Sequence, residues 1–299
     1  MSPDELKSAI ISYLDGYSIE ATPHDEKNFD SFPETLPAGA SVYMANLPGV
    51  PLDEIVRLTL RLKDLGFNPV PHIVSRKLES REQLERALEA LANGGVREAL
   101  VLGGDSAVQN AAFDSSLEVL ETGLFGQYGF TSVGVAGHPE GSKAIGEQRV
   151  AQALQGKNEF AKTSDLNVRI VTQFSFNPDA VTSWERETTE AGIELPIHAG
   201  FAGPASVRQL VKFAMLCGIG TSARMAVSRS GATANLLRSQ APDDMITHIA
   251  RHRASHPESR FEKAHFFCFG GVVKTAKWAN SVVSGDFDMN RDATGFEVR

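Results

Sequence analysis

Cysteine is scarce: the 299-residue chain holds two, Cys217 and Cys268, with no CxxC pair. That excludes a disulfide framework and a zinc site built on paired thiolates. Long apolar runs are missing as well. No stretch approaches eighteen residues, so no transmembrane helix is expected. The N-terminus, "MSPDELKSAI", lacks the basic and apolar regions of a secretory signal, and the expected location is cytoplasmic. There is no cationic excess either. Lys and Arg number 29 against 37 Asp and Glu, a net charge of −8, which argues against nucleic acid or an anionic membrane as the main partner. No low-complexity linker or shift of composition marks a domain boundary. The expectation is one domain over residues 1–299, with an N-terminal helix and a short C-terminal tail. No GxGxxG follows a strand, and neither a Walker A sequence nor a nucleophile elbow occurs.

What recurs is a strand-like run followed by a helical one. The runs are "GYSIEAT" (16–22), "SVYMANL" (41–47), "NPVPHIVS" (68–75), "EALVLGGD" (98–105), "SVGVAGH" (132–138), "VRIVTQFSF" (168–176), "LPIHAGF" (195–201) and "AHFFCFGG" (264–271). Between them, apolar residues return at helical spacing, as with Ile55, Leu58, Leu62 and Leu65. Alternating strands and helices imply parallel pairing through right-handed crossovers. Eight such units within about 250 residues point to a (β/α)8 TIM barrel. The weakest unit is 218–260, where a long helical region precedes the last strand.

In a barrel of this kind, reactive groups stand at the C-terminal ends of the strands. Glu20 closes the first run, His72 lies late in the third, and Asp105 ends the fourth. His138 ends the fifth, and Gln173 falls late in the sixth. Each alone reads better as a structural group, a cap or a satisfied histidine, than as a functional one. Their shared position makes the set a candidate site. "VLGGD" places two glycines before a carboxylate, which lets a flat group approach the backbone.

Other motifs carry less. "DFDMNRDATGFE" (286–297) spaces Asp286, Asp288, Asn290, Asp292 and Glu297 like a calcium loop, but Arg291 stands where the turn needs glycine. A solvated tail is the simpler reading. His248, His252 and His256 align on one helical face without an evident acidic or thiolate ligand. They read as a solvent-facing basic patch able to attract an anion, and no metal site is expected. "FAGPAS" (201–206) and "CGIGTSAR" (217–224) read as tight turns beside helices.

Taken in order, several segments resemble the methylenetetrahydrofolate reductase family. They are "SIEATP", "PHIV", "VLGGD", "GHPE" (137–140), "NEFAK" (158–162), "VTQFSF" (171–176) and "HAGFAGPASVRQLVKF". The likeness covers roughly residues 16–215, with "AHFF" near 264–267. It implies a general-acid role for Glu20 and a pterin-binding, charge-stabilising role for Asp105. It implies folate contacts for Gln173 and Gln209, and an aromatic face for folate or nicotinamide at Phe213. His72, Gly104, His138, Asn158 and Lys162 fall on positions that hold FAD, with Lys162 matched to a phosphate. Three departures stand out. Gly103 replaces an arginine, Gly134 replaces an aromatic near the flavin, and "CFGG" replaces an Asn-Arg pair at the last strand.

The resemblance implies interconversion of 5,10-methylenetetrahydrofolate and 5-methyltetrahydrofolate, with FAD passing hydride between NAD(P)H and the folate carbon. Opening the methylene bridge delivers a proton to a departing amine, which calls for a carboxylic acid among apolar strands. The departures weaken the expectation for FAD more than that for folate, so a flavin-independent version stays open. So does a barrel lyase or aldolase acting on a small oxo acid, although the sixth run ends in Gln173 and Phe174 in place of a Schiff-base lysine. A non-catalytic folate- or flavin-binding subunit is a further alternative, and whether the chain forms a homo-oligomer is left undecided.

Overall fold

The computed structural model describes residues 1–104, 108–142, 145–217 and 239–299. The chain opens with α1 (Pro3–Leu14), where the Ser2 hydroxyl accepts from the amide of Glu5 and the Glu5 carboxylate accepts from the amide of Ser2. β1 (Ser18–Ala21) follows, then a 3-10 run, Pro23–Glu34. Next come β2 (Ser41–Met44), α2 (Leu52–Asp64), β3 (Asn68–Val74), α3 (Arg81–Asn93), β4 (Glu98–Leu102), α4 (Ser116–Glu121), α5 (Leu124–Gln127) and β5 (Ser132–Gly137). The second half holds α6 (Glu147–Thr163), β6 (Asn167–Thr172), α7 (Pro178–Glu190), β7 (Ile197–Ala202), short β8 (Ala205–Ser206) and α8 (Val207–Leu216). It ends with short β9 (Ser239–Gln240), a helix Asp243–Ser255 (α9), β10 (Phe261–Phe267), a helix Val272–Val283 (α10), β11 (Phe287–Met289) and β12 (Phe296–Val298).

Eight strands close a barrel in the order β1-β10-β7-β6-β5-β4-β3-β2. The (β/α)8 architecture expected from the alternation is present. The expected pattern of one α-helix per strand is not kept throughout. Residues after β1 form the 3-10 run, which buries Phe29 and Phe32, and two short helices join β4 to β5. Four strands stop three or more residues earlier than expected, β2 at Met44 among them. β4 ends before Gly103, and Gly104 takes φ +87°, a left-handed conformation that leaves the extended path. β6 ends at Thr172, and the Ser175 hydroxyl then accepts from the amide of Asn177, the N-cap of α7. β10 ends at Phe267.

The chain divides into two compact units. One comprises residues 20–137 and 144–171. Here β2, β3, β4 and β5 pair in parallel, with His72 opposite Leu100 and Leu100 opposite Gly134. Side chains of Tyr43, Val70, Leu100 and Val171 make a buried cluster. α2 buries Ile55, Leu58 and Leu62, as the periodicity required, while Leu65 becomes its C-cap. At the start of the strands lies a polar network that no short stretch of sequence announces. Buried Arg169 pairs with Glu98 at 2.7 Å, donates to the Tyr43 hydroxyl from Nε and Nη2 at 3.2 and 3.1 Å, and donates to the Ser132 hydroxyl. Asn68 completes it by donating to Glu98 Oε1 at 2.6 Å.

The other unit comprises residues 1–19, 138–143 and 172–299. β7 and β10 pair in parallel with Ala199 opposite Ala264, and α1 packs on α9 and α10. A side chain at Gly200 would lie 2.3 Å from the carbonyl oxygen of Thr172, so only glycine admits this approach. The Gly200 amide also donates to Thr172 Oγ1 at 2.8 Å, which holds the end of β6 in place. The 286–297 segment is no solvated tail. β11 and β12 form an antiparallel hairpin that buries Phe287 and Phe296. Asn290 and Asp292 spend their oxygens on the Gly295 amide and on Thr294, and Arg299 grips Asp288. The histidine face of α9 is not simply a solvent-facing patch. His252 Nε2 lies 2.7 Å from the buried carboxylate of Glu185, and the His252 and His256 rings stack at 4.2 Å.

Candidate active site

Glu20 is the penultimate residue of β1, and His72 lies two residues before the end of β3. Alternation along β1 sends Ile19 and Ala21 into the core and leaves Glu20 partly accessible. Its carboxylate oxygen Oε2 stands 3.4 Å from His72 Nε2, with side-chain exposures of 15% and 9%. The Tyr43 ring meets the His72 ring edge to face at 6.3 Å. A carboxyl group beside an imidazole, both nearly enclosed, can hold and pass a proton.

The turn after β4 is open. A side chain at Gly103 would meet nothing within 4 Å. Arg76, from the segment after β3, donates through Nη1 to the Gly104 carbonyl at 2.7 Å and through Nε to the Asp114 carbonyl. A cation therefore stands beside this turn, although the strand itself supplies none; the sequence reading missed it. Asp105 lies outside the described residues. Gly134 is no open slot: a side chain there would come within 2.9 Å of Leu100 and 3.1 Å of Val171. Those two fill the room that an aromatic would need.

On α6 the inward face carries Leu154, Lys157 and Asn158, all buried. Lys162 is elsewhere. It is exposed and pairs with Glu159 at 2.9 Å. Lys157 was not singled out from sequence, yet the residue is buried, and burial pushes its pKa down to about 8.

The second unit holds the remaining candidates. His138 directly follows β5, and its carbonyl accepts from the amide of Gly141. Glu140 in the same turn accepts from the Ser175 hydroxyl at 2.6 Å. Gln173 directly follows β6 and donates through Nε2 to the Cys217 carbonyl at 2.8 Å. Gln209 closes a capping box on α8: its Oε1 accepts from the amide and hydroxyl of Ser206, and its Nε2 donates to the Phe269 carbonyl. Phe213 lies flat on Phe269, centroids 4.2 Å apart and planes 14° from parallel. Phe174, Phe176 and Phe267 surround them. Phe269 thus joins the aromatic group; its place in "CFGG" read from sequence only as a departure.

The sequence model of the family described as methylenetetrahydrofolate reductase matches residues 55–232, more than half of the chain. The chain belongs to this family. Among solved structures, a protein from Clostridium thermocellum that binds two copies of 5-methyl-5,6,7,8-tetrahydrofolic acid is similar at TM-score 0.54. It is 12% identical, with 94% of this chain and 97% of that one covered. At that identity the likeness is one of fold. Dihydropteroate synthase from Thermus thermophilus superposes at TM-score 0.44, with 11% identity and coverage of 90% and 92%. The strand ends of this methylenetetrahydrofolate reductase family barrel carry acid, imidazole, carboxamide and aromatic groups. Among the described residues, no group of three or more His, Cys, Asp or Glu side chains could hold a metal ion. No helix among them is long and apolar enough to cross a membrane.

Proposed function

We propose that this chain binds a reduced folate and interconverts 5,10-methylenetetrahydrofolate and 5-methyltetrahydrofolate, with NAD(P)H as redox partner and FAD as carrier. Family membership supports the reaction class. The observation that carries the mechanism is the Glu20–His72 pair at 3.4 Å near the ends of β1 and β3. In the reducing direction, the bond between the bridging carbon and N10 breaks, N10 takes a proton, and hydride arrives at the carbon. Glu20 is the proton donor in this reading, and His72 orients its carboxyl group. Asp105 would accept from the pterin amino and ring N–H groups and offset positive charge on the opened ring. Gln173 can both donate to and accept from the pterin edge, and the Phe213–Phe269 pair offers an aromatic surface.

The residues present suit FAD. Gly103 leaves open space for a flat ring, and buried Lys157 and Asn158 supply donors. His138 keeps the flavin-binding role that the resemblance implies. Bound FAD would supply the two-electron relay between nicotinamide and folate. A second reading, in which nicotinamide serves the folate without flavin, is favoured by one observation: Leu100 and Val171 occupy the space beside Gly134.

The deciding experiment is stopped-flow measurement of the two half-reactions on wild type and on folded Glu20→Gln. The variant keeps shape and hydrogen bonding but cannot deliver the proton. The folate half-reaction should fall about 10²- to 10⁴-fold, while flavin reduction by NAD(P)H stays near wild type. Near-normal folate turnover would remove Glu20 from the mechanism. A protein that takes up no flavin yet turns over methylfolate would decide for the second reading.

A further inference from the structure

The start of β10 borders a cavity of about 610 Å³, a volume within the range that holds small molecules. Phe261, at its wall, and Phe267, in the aromatic group, stand at opposite ends of the strand. At the rise of an extended chain they are about 20 Å apart, so this cavity is no part of the candidate active site. Its walls come from α1, α9 and the segments that lead into β7 and β10. Ala9, Ala254, Pro196 and Pro257 make an apolar side, while Arg253, Arg260, Glu194 and Glu262 bring two charges of each sign. The two cations are held differently. Arg260 spends Nε on the Thr189 hydroxyl, Nη1 on the Leu195 carbonyl, and Nη2 on the Glu185 carbonyl and the Thr188 hydroxyl. Arg253 makes no hydrogen bond or ion pair with any described residue, and its guanidinium lies 5.7 Å from the centroid of the Tyr13 ring. The buried Glu185 carboxylate does not serve it, because both oxygens are taken by His252, the Ser259 hydroxyl and the Arg260 amide. His256 is fixed as well: its Nδ1 donates to the His252 carbonyl at 2.9 Å, and Nε2 remains as its other polar atom.

A polyanion entering this cavity would meet Glu194 and Glu262, and a polyamine would meet the two arginines. A ligand with one charge of each sign and an apolar body is opposed by neither. We propose that the cavity binds a free α-amino acid with an apolar side chain. Its carboxylate takes the uncommitted fork of Arg253 in paired N–H···O bonds, a geometry that the planar guanidinium matches and an ammonium does not. Its ammonium faces Glu194 and Glu262, the second of which also lies 3.5 Å from His198 Nε2. Its side chain rests on the alanines and prolines. A peptide end carries only one of the two charges, so the site favours the free amino acid over a chain terminus.

Full-length wild type, Arg253→Gln and Arg253→Lys are titrated calorimetrically with L-leucine, L-methionine and L-phenylalanine. For the amino acid bound most tightly, its carboxamide, which lacks the carboxylate, and its des-amino acid, which lacks the ammonium, are titrated next. Wild type should bind at least one of the amino acids saturably and both of its analogues about tenfold more weakly or worse. Arg253→Gln should lose a similar factor, and Arg253→Lys, which keeps the charge without the fork, should lose less. If Arg253 is only a surface cation resting on a tyrosine ring, none of the amino acids binds, and that result overturns the assignment. Binding that Arg253→Gln leaves unchanged would also overturn it, because the amino acid would then sit elsewhere. A des-amino acid bound as tightly as its parent would reduce the cavity to a simple anion site and dismiss the amino-acid reading. Should Arg253→Gln not fold, Glu194→Gln takes its place, with the loss then confined to ligands that carry the ammonium.

Discussion

Burial acts on Lys157 in a way that thermodynamics can detect without any ligand. Its folded-state pKa, about 8, lies below the ordinary 10.5. Between those values the unfolded chain binds more protons than the native one, so this group's contribution to stability rises with pH. The penalty is complete below pH 8 and relieved above 10.5. Lys157→Met should therefore be more stable than wild type at pH 7, on the order of 3 kcal/mol from a shift of that size. The difference should shrink as denaturation is repeated toward pH 10.5; a constant difference would mean that the lysine is solvated in the native state. Gly134 makes the opposite case, a position with no room to spare. Gly134→Phe would press on Leu100 and Val171 and should cost about 1–3 kcal/mol in chemical denaturation. It should not improve flavin affinity, whereas a gain would show that the site accepts an aromatic after all. Neither residue could have been weighed this way from its neighbours in sequence. A glycine in a strand and a lysine in a helix are ordinary until the facing side chains are known.

At the scale of elements, α8 shows how one side chain serves two descriptions. The family resemblance implies a folate contact for Gln209, yet its carboxamide closes the capping box with Ser206 and also bonds the Phe269 carbonyl. Ser206→Ala removes the cap alone and should cost about 1 kcal/mol with folate affinity unchanged. Gln209→Ala should lose stability and folate affinity together; a loss of stability alone would leave Gln209 a capping residue. Helices of this kind were legible because apolar residues at i, i+3 and i+4 report a buried face without reference to tertiary structure. Strand ends were less so. "LGGD" and "QFSF" continue the apolar character of β4 and β6, and only the positive φ of Gly104 and the Ser175–Asn177 turn end the extended path. Gly104 and Gln173 accordingly sit just past the strands that were expected to contain them. The C-terminal hairpin was hidden for a different reason: its acidic residues outweigh Phe287 and Phe296 in composition, but those two rings decide the fold of the segment.

For the whole molecule, the alternation of strand and helix was enough to indicate the barrel, because parallel strands joined by helices have few ways to close. What fills it was not legible. Tyr43, Glu98, Ser132 and Arg169 stand far apart along the chain and meet only when β2, β4, β5 and β6 come together. Each was hidden among ordinary strand residues. Their arrangement predicts how the barrel responds to damage. Arg169→Met removes the cation beside the Glu98 carboxylate and one donor from each of the Tyr43 and Ser132 hydroxyls. Breaking a fully buried pair costs about 3–5 kcal/mol. Glu98 keeps 24% side-chain exposure, so water compensates in part, and about 2–3 kcal/mol is expected. Glu98→Gln on top of Arg169→Met removes the uncompensated charge and should recover a measurable part of that loss. Urea denaturation of wild type, both single variants and the double variant closes the cycle. Strict additivity would show that the pair is not coupled, and that the barrel depends on apolar packing around Leu100 and Val171 instead. Positive coupling would mean that a charged cluster at the start of the strands helps to hold the barrel on which Glu20 and His72 are mounted.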